Sequence, residues 1–523
     1  MSERKVIVIG LDGATWNLIK PWADSGELPT FKKLMTKGVW GILESPFPVT
    51  VPSWACYSTG KNPGKFGVFD WIKIDLNKRK IKTVNYKDFK SKEIWDYLNE
   101  YGVKTGIINI PHTYPPKKVD GFMISGMLAS EISNYTYPKS LKKELEEIGY
   151  KIHPQFPLHL ITKDKQKYVN EVKQLVKLRF KVAREKLDEV EFLHLTIFYI
   201  DYLQHFLWDS LEVLSVWKII DKELGEFLRE LKSKNIKFTL ILMSDHGFTQ
   251  LKSRLGFYLN AFLMKKRLLR VKKFYFYQIL YKCGIRFEVL SDIAKKLRLY
   301  EFGRKYLRKL ARRLPTQDGE IVHEGLESII DWDNSKLINM GGIIGQIYIL
   351  DKNNHEQFIS ELKKDLLNLR DPITYEKVIS KVVPKEKIIS GKFLSEAPDF
   401  FVYPNEGYVI GRFNIYGDIF QKSIWTATHT KNGIFLLYGD GIKYPNSIIN
   451  SFTFRASIYD LAPTILSLFN VPIPEDMDGK ILMEFLRDEV TKEVSREQTF
   501  HKEKERIRRI VKVKFKGGKT NNE

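Results

Sequence analysis

Short apolar runs alternate with longer stretches of helical spacing along most of the chain. Residues 5–10 (KVIVIG) read as a strand with no polar position after Lys5. Residues 104–110 (KTGIINI, ending at Pro111), 192–198 and 238–243 (FTLILM) have the same character, and 344–350 and 433–438 (GIFLLY) add two more runs toward the C-terminal end. A strand that is apolar on both faces is covered on both, the situation of a parallel sheet between two helical layers. Residues 92–100 and 165–186 carry helical spacing, and 460–468 read as a helix capped by Asp460 with Pro463 in its first turn. The order of these elements predicts an α/β fold: a central, mostly parallel sheet flanked by helices on both faces. No internal repeat or low-complexity run interrupts it.

Composition narrows the picture. With 523 residues, 43% hydrophobic and 28% charged, the chain can bury a large core, and disorder, collagen and coiled coil are excluded as its main state. Its two cysteines, Cys56 and Cys283, cannot build a disulfide framework or a Cys-rich zinc site, which fits a reducing compartment. After Met1-Ser2-Glu3-Arg4-Lys5 the apolar run is too short for a secretory leader, which needs ~7–15 apolar residues. No window reaches the ~18 uninterrupted apolar residues of a membrane span. The expected location is cytoplasmic, with room for peripheral contact at the inner face of the membrane.

The net charge of +22 is concentrated. Residues 264–316 hold 17 Lys/Arg against 3 Asp/Glu, and residues 500–523 hold 9 against 3, so the remainder is almost neutral. Within 264–316, Ile293, Leu297, Tyr300, Leu307, Leu310 and Leu314 share one helical face, while Lys295, Arg298, Lys305, Lys309 and Arg312 fall mostly off it. Phe274, Tyr275, Phe276 and Tyr277 lie just upstream, beside Lys272 and Lys273. A basic amphipathic helix with aromatics suits the interface of an anionic membrane. A helical lid packed on the body is the other reading. Nucleic acid is disfavoured as a partner, since no recognised nucleic-acid-binding fold is present.

Candidate chemistry follows the strands. Asp12-Gly13 comes directly after the first run, where open α/β sheets bind ligands; alone, Asp12 reads as well as a turn or cap residue. Thr50 stands just before a predicted helix with Pro52 in its first turn, where a hydroxyl either faces free N–H groups and the positive end of the helix dipole or merely caps the helix. Asp201 and His205 are spaced i and i+4, on one helical face, as two ligands of one metal or as an ordinary surface pair. Asp245-His246-Gly247 follows 238–243, and both side chains reach one site only if the chain bends there, which Gly247 permits. His429 precedes the run 433–438. His112, His153, His159, His194, His323, His355 and His501 read as structural.

Together these residues form an ordered set of six N/O ligands and one hydroxyl, the composition of a two-metal site for in-line displacement. Here the sequence resembles the type I phosphodiesterase/nucleotide pyrophosphatase family of the alkaline phosphatase superfamily, across residues 4–485 except the insert. The resemblance implies an alkaline-phosphatase-like metallohydrolase domain in two parts, 1–263 and 317–485, separated by the basic helical insert 264–316 and followed by a basic tail, 486–523. It implies that Asp12, Thr50, Asp245 and His246 hold one divalent ion and Asp201, His205 and His429 the other, with Thr50 the nucleophile. Zinc is the family's usual metal and manganese an occasional one; a donor set of His and carboxylate without Cys suits both and does not choose.

The implied function is hydrolysis of a phosphodiester or pyrophosphate, in a small molecule or lipid head group, through a phospho-threonine intermediate. A phosphomutase or phosphomonoesterase needs the same metals, and a non-catalytic membrane- or nucleic-acid-binding protein on this fold is the alternative from another class. One departure stands out. Nucleotide-hydrolysing members often carry Asn in the turn after the nucleophile, and none occurs in residues 51–60. Ser53 is the nearest polar substitute there, and Lys61 is the nearest cation for an anionic substrate.

Overall fold

A computed structural model describes residues 4–156, 158, 161, 163–285, 323–351, 355–413, 415–443 and 454–490. The predicted amphipathic face from Ile293 to Leu314 and the tail beyond residue 490 lie outside the described residues.

The central sheet has nine strands: β1 (Lys5–Leu11), β2 (Val39–Glu44), β3 (Thr105–Ile108), β4 (Gly121–Ile124), β5 (Thr136–Tyr137), β6 (Phe192–Ile197), β7 (Phe238–Met243), β8 (Asn432–Gly439) and β9 (Arg455–Ser457). Their order is β9-β2-β8-β7-β1-β6-β3-β4-β5. β1 pairs in parallel with both β6 and β7, and β6 with β3, which extends in parallel to β4. Two strands run against the rest: β8, antiparallel between β7 and β2, and the short edge strand β5, antiparallel to β4. β1 shows why these strands read as unbroken apolar runs. Ile7, Ile9 and Leu11 enter one core, Val6 and Val8 the other, and all five are essentially fully buried. The long helices α1 (Lys165–Glu185) and α2 (Leu211–Ser233) cover the first core.

Two expectations change. The run 344–350 forms the strand Gly345–Ile349, but it sits in a separate antiparallel four-stranded sheet with Leu337–Asn339, Phe400–Pro404 and Ile379–Pro384, and has its own core. Apolar character alone does not say which sheet a strand joins. Asp460 does not cap the helix Leu461–Leu468. It closes a capping box one turn earlier, its carboxylate accepting from the Ser457 N–H (2.9 Å) while the Ser457 hydroxyl caps the turn.

Behind the site, a buried polar network braces the helix Thr50–Thr59. Ser58 donates to Glu93 (3.1 Å), which also holds His112 and Lys117 (2.6 Å each), and Lys117 reaches Asp96 (2.6 Å). Burial pushes the Glu93 carboxyl up, but Lys117 and His112 outweigh it and bring it down to about 2. Glu93→Gln should therefore lower stability at pH 7 by about 3 kcal/mol, toward the low end for breaking a buried pair because Lys117 keeps Asp96. A folded value below the ordinary 4.5 means the charge stabilises above pH 4.5 and that contribution is lost as pH falls toward about 2. Denaturant titrations should show the gap between wild type and variant closing over that interval.

Candidate active site

Three adjacent strands, β7, β1 and β6, deliver side chains at their carboxyl ends. Asp12 follows β1 directly, Asp245 and His246 follow β7, and Asp201 and His205 lie on the helix Tyr199–Leu207 that begins just after β6. His429 comes from the strand Ala427–Thr430, which pairs antiparallel with Gly247–Gln250 and sets His429 opposite Phe248. Gly247 is required by close approach, not by a left-handed backbone: a Cβ there would lie 2.0 Å from the Asn432 carbonyl oxygen. Gly13 does adopt positive φ (67°), and a Cβ would strike the Phe248 ring at 2.7 Å.

Thr50 is the first residue of the helix Thr50–Thr59, with Val49 in the capping position, so its hydroxyl does not serve as the cap. Oγ1 lies 3.4 Å from His246 Nε2. From that nitrogen, Asp245 is 3.3 Å away, Asp12 3.7 Å and Asp201 3.8 Å. His429 Nε2 lies 3.0 Å from Asp201 and 2.9 Å from His205 Nε2. The His246 and His429 rings stack at 3.7 Å between centroids.

The hydrogen bonds set the tautomers. Nδ1 of His205 meets the Ala427 carbonyl (3.0 Å), that of His429 the Pro48 carbonyl (2.8 Å) and that of His246 the Gly247 carbonyl (3.2 Å). A carbonyl only accepts, so each Nδ1 carries a proton and each Nε2 faces the carboxylates. Trp54 Nε1 donates to Asp12 (3.2 Å), the Gly13 N–H to Asp245 (3.1 Å), and Gln204 to the Gly13 carbonyl (2.9 Å). One oxygen of each of Asp12, Asp201 and Asp245 is buried with no hydrogen-bond donor.

Electrostatics follow from this crowding. Burial, then the charges of Asp245 and Asp201, push the Asp12 carboxyl well up. Burial pushes Asp245 up to about 7, with Asp201 adding to the effect and the Gly13 N–H opposing it. Burial acts on Asp201 as well, but His205 and His429 hold it well below the usual carboxylate range. Burial takes His205 down to about 4 against the pull of Asp201, and also takes His246 well below the ordinary imidazole range. Buried carboxylate oxygens without donors, facing imidazole Nε2 atoms, are a donor set that fits divalent cations. Asp12, Asp245 and His246 form one group with ligand atoms within 4.8 Å of one another; Asp201, His246 and His429 form a second. His246 thus belongs to both, and His205 stands against the second group.

The site opens into a cavity of about 610 Å³. Thr50, Asp201, His205 and His429 line it, and its walls are largely apolar and aromatic, among them Trp71, Phe206, Tyr258, Ile343, Phe413 and Trp425. Ser53 and Lys61 are not brought to it. Ser53 is buried, donating to the Phe47 carbonyl beside Ser45, and Lys61 is buried in a pair with Asp476 (2.7 Å). His194 and His112 are structural, held by Tyr57 and Glu93.

Sequence reasoning missed Trp54, Gln204, Trp425 and Arg412. Trp54 lies one turn from Thr50, and Gln204 stands inside the Asp201–His205 turn, so local spacing held a signal for both. Arg412, a wall residue paired with Asp70 (2.5 Å), had none.

A sequence-family model described as type I phosphodiesterase/nucleotide pyrophosphatase matches residues 6–423. No curated protein matches. The solved structure of human ectonucleotide pyrophosphatase/phosphodiesterase 5 is similar at TM-score 0.53 and 16% identity, over 93% of this chain and 100% of that one. An inactive variant of the murine protein, in complex with AMP, gives 0.55 and 14% over 93% and 100%. Phosphonoacetate hydrolase from Sinorhizobium meliloti 1021, in complex with phosphonoformate, gives 0.56 and 15% over 88% and 94%. These likenesses establish the alkaline-phosphatase-like fold.

If the buried carboxylates are a cation site, Asp245→Asn should raise the stability of the metal-free protein, because one crowded negative charge is removed. It should also reduce the stabilisation by Zn or Mn, which for an intact site is about 2.7 kcal/mol at one hundred times Kd. Thermal melts of both proteins, stripped and reloaded, test this; equal metal-induced shifts would place the ions elsewhere.

Proposed function

The chain belongs to the type I phosphodiesterase/nucleotide pyrophosphatase family, and on that premise we propose that it hydrolyses a phosphodiester or pyrophosphate bond with Thr50 as nucleophile. The observation that carries the reading is the placement of Thr50, Asp201, His205 and His429 together on a cavity of about 610 Å³. A bare phosphate occupies a small part of that volume. The cavity therefore favours a substrate with a large apolar or aromatic group on the phosphorus, a diester or pyrophosphate rather than a small monoester.

Asp12, Asp245 and His246, with Thr50, would hold one divalent ion, and Asp201, His205 and His429 the other. Such ions supply a lowered pKa for the nucleophile and water and neutralise charge on the phosphoryl oxygens. The chain's own residues do the rest. The first turn of the Thr50–Thr59 helix would offer the phosphoryl group the Thr50 and Val51 N–H groups and the positive end of its dipole, Pro52 having no N–H and Ser53 bonding the Val49 carbonyl. Thr50 Oγ1 attacks phosphorus in line, the hydroxyl proton leaves, and the bond to the departing oxygen breaks as the O–P bond forms. The leaving group takes up a proton and exits through the cavity. Water then attacks the phospho-threonine and regenerates the hydroxyl, so one water is consumed per bond cleaved. Trp54 and Gln204 fix Asp12 and the Gly13 turn, and the three carbonyl contacts at Nδ1 keep each imidazole in register.

Thr50→Ala should lower kcat toward bis-p-nitrophenyl phosphate by at least ~10³ with the melting temperature little changed. Rapid acid quench and mass spectrometry should find phosphate on Thr50 in the wild type. A variant that hydrolyses the diester at near wild-type rate would remove Thr50 from this role. A wild type that prefers the p-nitrophenyl monoester would replace the diesterase reading with the monoesterase one.

A further inference from the structure

The described part of the basic insert, residues 264–285, is fastened to the body on one side and exposed on the other. Leu269 is buried in the core of the second sheet, and Leu268, Leu280, Tyr281 and Ile285 pack against that core. The helix Phe274–Lys282 turns Gln278 and Tyr281 inward: Gln278 donates to the Tyr416 carbonyl and Tyr281 to Gln421, each at 3.3 Å. The opposite face carries Tyr275 (78% exposed), Phe276 (52%) and Ile279 (60%), followed by Lys282 and Cys283. Residues 275, 279 and 282 are spaced by four and three, so they share one face. Lys265, Lys266, Arg267, Arg270, Lys272 and Lys273 are exposed on the approach to the helix, with Lys266 paired to Asp365 (2.5 Å).

The position of this face relative to the cavity matters. Both inward hydrogen bonds land on the segment 416–421. On one side of that segment Arg412 and Phe413 line the cavity; on the other, Ser423, Ile424 and Trp425 do, and Ile424 is 42% exposed. The aromatic, cationic helix therefore lies beside an apolar cavity that ends at the candidate catalytic residues. Among the described residues no helix is long and apolar enough to cross a membrane.

We propose that this helix seats the protein on an anionic lipid surface, with Tyr275, Phe276 and Ile279 entering the interface and the surrounding lysines and arginines meeting lipid head groups. The charge decides the occupant. Exposed apolar rings alone fit any greasy partner, but rings set among a dense run of cations fit a surface that is apolar below and negative above. The placement is independent of catalysis; it also puts the cavity where a lipid-borne phosphodiester can enter, and that second step rests on the proposed function.

The full-length protein should sediment with phosphatidylglycerol vesicles at low salt, weakly with phosphatidylcholine, and progressively less as salt rises. Replacing Tyr275, Phe276 and Ile279 together by Ser should reduce the partition coefficient by about tenfold or more, since three apolar insertions are lost. These side chains are exposed, so the melting temperature and the diesterase rate on a water-soluble substrate should stay near wild type. Cys283 gives a second readout. It is exposed at the end of the helix while Cys56 is buried, so an environment-sensitive maleimide on native Cys283 should shift to the blue with anionic vesicles only. Three results would overturn the proposal: protein that stays in the supernatant with phosphatidylglycerol at low salt, a triple variant that sediments undiminished, or a label unmoved by vesicles while homopolymeric RNA shifts it. A failure here with intact diesterase activity would leave the proposed function standing. Vesicle binding without hydrolysis of any phosphate ester would do the reverse.

Discussion

Three buried carboxylates within a few ångströms of one another are the constraint around which the molecule is arranged. Asp12, Asp201 and Asp245 are buried and repel one another, and hydrogen-bond donors answer only part of their oxygens. Three imidazoles face them through nitrogens whose tautomer is set by backbone carbonyls on the far side of each ring. Such an array is costly unless positive charge sits inside it. The surrounding structure holds it open for that: Trp54, Gln204 and the Gly13 N–H pin the carboxylate side, and the strand pair Gly247–Gln250 and Ala427–Thr430 pins the histidine side.

The fold makes this crowding possible. Parallel pairing aligns the carboxyl ends of β7, β1 and β6, and residues that follow three different strands then meet without long loops. The antiparallel β8 brings the last candidate ligand back. His429 sits on the short strand just ahead of β8, and the register of β8 against β7 places it over His246. The second sheet contributes no candidate ligand. It supplies cavity wall, with Ile343 and Gly342 at the edge of the four-stranded sheet and Tyr258 and residues 409–413 beside them, so the candidate ligands and much of the cavity wall come from separate parts of the chain.

Much of this was legible beforehand because the informative residues are local. β1, β6 and β7 are apolar on both faces and appear in the sequence as unbroken runs, and the candidate ligands Asp12, Asp201, Asp245 and His246 stand just after them. Asp201 and His205 announce themselves by helical spacing. What failed had a physical cause in each case. The strand Gly345–Ile349 is as apolar as β7, so nothing in its own residues assigns it to the second sheet. Asp460 precedes a helix, as a cap would, but a 3₁₀ turn opened by Ser457 takes its carboxylate first. Ser53 and Lys61 are close to Thr50 in sequence, yet helix geometry turns Ser53 back toward Phe47, and Asp476, more than four hundred residues away, captures Lys61.

The sequence by itself determined the α/β class, the ordered set of candidate ligands and the concentration of positive charge in the insert and tail, because each depends on residue type and on spacing within a few turns of the chain. Tertiary structure alone decided that His246 stands between both carboxylate groups, that Nε2 rather than Nδ1 faces the site in all three histidines, and that Arg412 and Trp425 wall a cavity above Thr50. Those facts depend on which backbone carbonyl or ring arrives from a distant segment. It also decided which face of the helix Phe274–Lys282 is outward. Five of its nine residues are aromatic, and the hydrogen bonds of Gln278 and Tyr281 to residues 416–421, with Leu280 and Tyr281 packed on the second core, choose between its two sides.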